Sequence, residues 1–305
     1  MMTAMYQVKR ISRSEFIPVR NLQYHVRVWG EPAPGKTPLV MLHGWMDVAA
    51  SYQFMVDALH HGQYVIAPDW RGFGQTPSGG VDSFWFPDYL ADLDILLDHY
   101  APHSQVNLVG HSMGGNVAML YAGVRSGRIR RLVNLEGFGR PASTPGEAAG
   151  CYARWMDELK QLRRGELALQ TYSSADGVAR RLMKTNPRLG QDKAVWLARH
   201  WAQEDDRGRW RILGEPAHKL ASAQLYRADE VLQIHARISM PVLAVEATDS
   251  DQEQKWKGKF SMAQYRERLN VVPQVEVARI GDAGHMLHHD QPEILAALIE
   301  DFLEK

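Results

Sequence analysis

The chain is nearly without cysteine. Cys151 is the single thiol in 305 residues, so no disulfide can form within the chain, and a reducing, cytoplasmic setting is expected. A surplus of either charge is also missing, with 35 Lys plus Arg against 35 Asp plus Glu. Binders of nucleic acid or anionic membrane carry a basic excess, so neither partner is expected. No apolar run approaches the ~20 residues that cross a bilayer, and residues 1–20 hold no stretch of signal-peptide type. Internal repeats and low-complexity tracts are absent. So is any paired histidine–carboxylate spacing of the zinc-binding kind, and no metal or other cofactor is expected.

Apolar residues, in contrast, are plentiful at 45%. A chain of this length and composition fits one large α/β domain with a sizeable insertion. Short apolar runs alternate with helical patterns, the signature of a mostly parallel twisted sheet flanked by helices. The strand-like runs are Gln23 to Trp29, Pro38 to Leu42, Tyr64 to Ala67, Val106 to Val109, Leu132 to Leu135, Pro241 to Val245 and Gln274 to Ile280. Helical periodicity covers Asp88 to His99, Gly115 to Arg125, Met262 to Leu269 and Pro292 to Leu303.

From Gly137 to about Arg227 this rhythm stops. Only helical patterns remain, beginning with Thr144-Pro145-Gly146-Glu147, which has capping-box spacing with proline at the first helical position. Residues 137–227 therefore read as an α-helical cap, and 1–136 with 228–305 as the core domain. Four of the nine tryptophans, Trp155, Trp196, Trp201 and Trp210, fall in this segment. Most should fill the cap's own core, and some should line an apolar pocket.

Chemistry concentrates at run ends. Gly110-His111-Ser112-Met113-Gly114 follows a buried-strand run and precedes a helical pattern. That is the context of a G-x-S-x-G nucleophile elbow. A strand that folds straight back into a helix leaves no room for side chains at the flanks, hence glycine. Ser112 is the candidate nucleophile. The backbone N–H groups of Met113 and of Trp45, in His43-Gly44-Trp45, are candidate oxyanion donors. His43 itself reads as a buried loop brace. His285, in a glycine-bearing loop after the last strand, is the candidate base, ahead of His288 and His289. Asp69 and Arg71 read as structural ion-pair or brace groups.

Three carboxylates compete as the acid that orients His285. Glu136 ends the fourth of the buried runs, and Asp249 and Asp251 follow the fifth. All three obey the order nucleophile, acid, histidine. Glu136 is preferred, because Gly137 lets the chain turn away and the extra methylene lets glutamate reach across; Asp249 comes next.

At His43-Gly44, Arg71-Gly72-Phe73-Gly74, the Ser112 elbow and Gly284-His285 the chain resembles the α/β-hydrolase superfamily. The resemblance is to its capped branch of esterases, carbon–carbon bond hydrolases, haloperoxidase-like enzymes, epoxide hydrolases and haloalkane dehalogenases, and to the serine hydrolase-like group. It covers the chain outside the cap. Members with the acid after the strand preceding the histidine commonly carry a G-x-x-D turn. Here the turn is Ala247-Thr248-Asp249-Ser250, with serine where that aspartate would stand. Some haloalkane dehalogenases instead place a glutamate where Glu136 stands. Epoxide hydrolases and dehalogenases of the family use an aspartate at the elbow, so Ser112 argues against both and implies an acyl-enzyme. The expected activity is hydrolysis of a small or medium apolar ester. The alternatives are carbon–carbon bond hydrolysis or perhydrolysis by the same residues, or a hydrolase-like protein that binds a small ligand without turning it over.

Overall fold

Four-residue apolar runs such as Leu39–Leu42 have no polar face, and they become strands because helices cover both faces of the sheet. The computed structural model describes residues 5–60 and 62–305. Its strands, in chain order, are β1 (Arg13–Val19), β2 (Leu22–Trp29), β3 (Leu39–Leu42), β4 (Val65–Pro68), β5 (Val106–His111), β6 (Ile129–Leu135), β7 (Thr171–Tyr172), β8 (Ala202–Glu204), β9 (Trp210–Ile212), β10 (Val242–Ala247) and β11 (Val275–Ile280). The helices are α1 (Gln53–Ala58), α2 (Phe86–Tyr100), α3 (Met113–Val124), α4 (Ala148–Arg163), α5 (Ala175–Thr185), α6 (Gln191–Trp201), α7 (Ala228–His235), α8 (Gln252–Lys255), α9 (Met262–Leu269), α10 (Leu287–Asp290) and α11 (Pro292–Glu304).

Eight strands form one sheet in the order β1-β2-β4-β3-β5-β6-β10-β11. The β1–β2 and β2–β4 pairs are antiparallel and the other pairs are parallel. Alternate residues of each central strand feed different cores. Val40, Leu42 and Leu108 pack with Leu93 and Leu97 of α2 and Val117 and Tyr121 of α3. Leu39, Met41 and Val109 pack on the opposite face with Met55 and Val56 of α1 and Leu295, Ile299 and Phe302 of α11.

After β3 the chain moves to one side to make β4, then returns to make β5 on the other side of β3. Strand order therefore reverses between β3 and β5. A crevice opens at the C-terminal ends of such a pair, and ligands of open α/β sheets bind there. The loops of His43 and Ser112 leave from these two ends.

The segment between β6 and β10 is not exclusively helical, as its pattern had suggested. It holds α4 to α7 and also a small antiparallel sheet in the order β7-β9-β8. These strands are two or three residues long, too short to show a two-residue alternation. Val178, Ala194, Trp196 and Leu197 of α5 and α6 pack on Val48, Ala50 and Phe54 of the sheet domain. Tucked against α3, α7 approaches so closely that a Cβ on Gly123 would lie 2.2 Å from Ile234 O.

Arg71 and Asp69 are buried braces, as the sequence suggests. Arg71 Nε and Nη2 donate to Asp92 at 2.6 and 2.7 Å, and the Tyr24 hydroxyl donates to the same carboxylate at 2.5 Å. Asp69 accepts from Ala49 N–H at 2.7 Å and Gln75 N–H at 2.9 Å, and pairs with His25 Nδ1 at 2.7 Å.

Candidate active site

Ser112 sits in the one-residue turn between β5 and α3, with φ 51° and ψ −113°. A non-glycine residue in so sparsely populated a region costs on the order of 1–3 kcal/mol, and the neighbours hold it in place. Ser112 N–H donates to Leu135 O at 2.8 Å, and Ser112 O accepts from Asn116 N–H at 3.0 Å. The glycines of the motif are sterically required. A Cβ on Gly110 would lie 2.4 Å from Gly114 O, and one on Gly114 would lie 2.1 Å from Leu42 O.

The structure brings Ser112, His285 and Glu136 into one line. His285 Nε2 is 3.0 Å from Ser112 Oγ, and His285 Nδ1 is 3.1 Å from Glu136 Oε2. A neutral ring that donates from Nδ1 to the carboxylate leaves Nε2 free to accept the serine proton. Burial, reinforced by Lys255, pushes His285 down to about 4, which favours that neutral ring. Glu136 follows β6 and takes up a left-handed backbone, φ 57°, that turns its side chain across the end of β10. There Oε1 accepts Ala247 N–H at 2.7 Å and Oε2 accepts the Ser250 hydroxyl. Burial pushes the Glu136 carboxyl up to about 7, against the hydrogen bonds from Ser250 and Ala247, which draw it down.

Neither of the other two carboxylates joins this line. Asp249 Oδ2 accepts from Arg188 Nη2 at 2.5 Å and Asp251 pairs with Lys255 at 2.8 Å. Asp249 contributes backbone instead, its N–H bonding Ala283 O at 3.0 Å ahead of the His285 loop.

The two candidate oxyanion donors lie beside Ser112. Met113 is the first residue of α3, so its N–H has no intrahelical acceptor. A Cβ on Gly44 would be 3.3 Å from Ser112 Cβ, which places the His43–Trp45 loop directly against the serine. Trp70 N–H donates to His43 Nε2 at 2.9 Å, so the ring proton is on Nδ1, which donates to Gly44 O at 2.8 Å. The C=O of Gly44 and the N–H of Trp45 belong to one trans peptide and point in opposite directions. Holding the carbonyl towards His43 thus turns the Trp45 N–H away from that ring.

Two contributing residues escape a reading of the sequence. Ser250 stands where the family commonly has its acid and bonds Glu136 instead. His111, inside the elbow motif, holds the loop of the base: its Nε2 donates to His285 O at 2.8 Å. Burial, with His285 adding, pushes His111 down to about 3, so this ring stays neutral. His288 and His289 lie away from Ser112, buried around Ser51 Oγ at 3.3 and 2.5 Å. With Asp47 they bring possible ligand atoms within 4.8 Å of one another, the metal-capable grouping among the described residues.

Above Ser112 lies a cavity of about 830 Å³, walled by Trp45, Phe84, Trp85, Met119, Phe138 and Trp155 among others. Of the four tryptophans of the inserted segment, Trp155 lines this cavity and donates from Nε1 to Ser83 Oγ at 3.2 Å. Trp196, Trp201 and Trp210 pack in the cluster between the segment and the sheet domain. Among the described residues no helix is long and apolar enough to cross a membrane.

Known proteins resemble this chain in sequence and in fold. Residues 37–292 match the family model of the α/β hydrolase fold. A serine hydrolase-like protein of Danio rerio is 25% identical over 310 residues, covering 97% of this chain and 90% of its own. The sn-1-specific diacylglycerol lipase ABHD11 of Xenopus tropicalis is 25% identical over 291 residues, covering 94% and 83%. Among solved structures, the thioesterase domain from the curacin biosynthetic pathway superposes with TM-score 0.79 at 21% identity, over 95% of this chain and 99% of that one. With that family model matched over most of its length, the chain belongs to the α/β-hydrolase fold family.

Proposed function

We propose that the protein is a serine carboxylic-ester hydrolase that works through an acyl-enzyme on small or medium acyl groups. One observation carries the reading: the unbroken chain from Ser112 Oγ to His285 to Glu136, at 3.0 and 3.1 Å, on the floor of a mostly apolar cavity. Relatives of similar length bear the names serine hydrolase-like protein and diacylglycerol lipase, which agrees with acyl chemistry.

In this reading His285 Nε2 takes the Ser112 proton as Oγ attacks the ester carbonyl. Charge develops on the carbonyl oxygen, where the N–H groups of Trp45 and Met113 receive it. Glu136 stabilises the imidazolium and holds its tautomer. The imidazolium then protonates the leaving alkoxide, which leaves an acyl group on Ser112. Water, deprotonated by His285, attacks the acyl carbonyl and releases the acid. A serine oxygen at the elbow accepts an acyl group, and it cannot form the alkyl ester that epoxide or haloalkane chemistry needs on a carboxylate.

The test is a series of p-nitrophenyl esters of rising acyl length. The limited volume of the cavity, about 830 Å³, predicts a maximum of kcat/KM at short to medium chains and poor turnover of emulsified long-chain triglyceride. Ser112→Ala should retain the fold and lose nearly all turnover, keeping only what binding and the oxyanion donors supply. Near-normal turnover by folded Ser112→Ala would overturn the reading.

A further inference from the structure

One wall of the cavity is built from hydrogen-bond donors, and they converge on the backbone of Gly139 and Arg140. Gly139 N–H donates to Asn116 Oδ1 at 2.8 Å, which leaves the Asn116 amide NH₂ as a donor. A Cβ on Gly139 would lie 2.9 Å from the Tyr226 hydroxyl oxygen, so the phenol stands against the same stretch of backbone. Arg268 Nη1 donates to Arg140 O at 2.7 Å, and its guanidinium lies 4.2 Å from the centre of the Phe260 ring. Asn116, Tyr226, Arg140 and Arg268 all line the cavity that contains Ser112.

Among the described residues no carboxylate lies within 4.0 Å of the Arg140 or Arg268 guanidinium. Glu230 also borders the cavity, but it is 3.7 Å from Arg227, which pairs with Asp229 at 2.8 Å as well. An amide, a phenol and two guanidiniums beside apolar walls are the donors a carboxylate uses, and a guanidinium matches its two oxygens in a planar fork.

The wall is also close to the serine. Asn116 is one turn along α3 from Ser112, and Arg140 is four residues beyond Glu136. Helical rise puts the near end of the wall roughly 6 Å from the serine, and the reach of an extended chain puts the far end within roughly 14 Å of Glu136.

We propose that this wall is a carboxylate subsite, so that the preferred ester carries a free carboxylate on the part of the substrate that fills the cavity, as in a half-ester of a dicarboxylic acid. The proposal rests on the esterase reading for the position of the scissile carbonyl. Its test compares p-nitrophenyl hydrogen adipate with methyl p-nitrophenyl adipate, which has the same six-carbon acyl chain with its far end methylated and no charge. The full chain should prefer the acid by about tenfold or more in kcat/KM at low salt, and added salt should erode the preference. Arg268→Met should reduce turnover of the acid by about tenfold more than turnover of the neutral diester, and Arg268→Lys should restore most of the difference.

Binding of adipate to Ser112→Ala, followed by calorimetry, needs no turnover and should weaken in Arg268→Met. Equal turnover of the two esters, or equal losses on both in Arg268→Met, would overturn the subsite. Inorganic phosphate competing as well as adipate would also overturn its assignment to carboxylate. Adipate binding without hydrolysis of any ester would uphold the subsite and defeat the esterase reading. Hydrolysis with neither charge preference nor adipate binding would do the reverse.

Discussion

The Ser250 hydroxyl donates to Oε2 of Glu136, the same oxygen that faces His285 Nδ1. The position that commonly carries the acid in this family thus holds the acid's hydrogen-bond donor. Strand pairing makes this possible. Leu135 at the end of β6 is in register with Val245 of β10, and Glu136 N–H bonds Val245 O at 3.1 Å. Glu136 faces His285 from the neighbouring strand, and the residue at the common position bonds it from the side.

This relationship predicts how the carboxylates respond to substitution. Glu136→Gln keeps the shape, removes the charge and favours the wrong histidine tautomer, so kcat should fall by roughly three to four orders of magnitude. Asp249→Asn and Asp251→Asn, which disturb only exposed ion pairs, should stay within about twofold of wild type. Restoring a carboxylate at the common position, as Glu136→Gln with Ser250→Asp, should recover about tenfold or more of the loss. Steady-state kinetics of the four variants decide it, and collapse of Asp249→Asn with an active Glu136→Gln would remove Glu136 from the site.

The acid limb of the pH–rate profile follows from the same pair. The reactive form has a neutral His285 and an ionised Glu136, so added protons destroy it and kcat/KM falls as pH falls. Burial holds His285 down to about 4 and lifts Glu136 up to about 7. Because the two groups share a hydrogen bond, the limb belongs to the pair and should have its midpoint between those values. In Glu136→Gln the imidazolium loses its counter-charge, so the residual limb should move to lower pH. A midpoint above pH 7 in the wild type would contradict this account of the site.

Ser250→Ala separates support from chemistry. It leaves the carboxylate and the histidine in place but removes one donor, so kcat should fall by about tenfold with little change in KM. The missing hydrogen bond favours the protonated acid, so the acid limb should shift upward in pH. An unchanged pH profile would show that the Ser250 contact does nothing for the pair.

The buried brace of the sheet domain predicts a stability effect far from the site. Asp92→Ala removes the two short bonds that hold the buried Arg71 guanidinium, leaving it only Asp88 at 3.4 Å, and strips the Tyr24 hydroxyl of its acceptor. The cost should be about 3–5 kcal/mol, lowering Tm by roughly 5–8 °C. Arg188→Ala breaks the exposed pair with Asp249 and should cost at most about 1 kcal/mol. Thermal melts of the two variants give the comparison.

What could be read in the sequence was whatever the local chain dictates by itself. Ser112 and its glycines are legible because a strand that turns directly into a helix excludes side chains at Gly110 and Gly114. Buried runs such as Val65–Pro68 are legible because both faces of the sheet are covered. The edge strand Arg13–Val19 is not legible, because Arg13, Ser14 and Glu15 hide its alternation. The choice among Glu136, Asp249 and Asp251 rests on cross-strand register and on a left-handed backbone at Glu136. Gly137 and the longer glutamate side chain mark the preference for Glu136 in the sequence, but neither the register nor the backbone conformation is itself legible there. The bond from His111 to the His285 carbonyl joins positions 174 residues apart, and no spacing announces it.

The central claim is that Ser112 is an activated nucleophile, and covalent labelling tests it most directly. The folded protein is treated with a fluorophosphonate near neutral pH, and the modified residue is located by peptide mass spectrometry. The account predicts rapid, stoichiometric labelling at Ser112, slowed by several orders of magnitude in Glu136→Gln and absent in Ser112→Ala. A folded wild-type protein that stays unlabelled, or that is labelled at another residue, would contradict it.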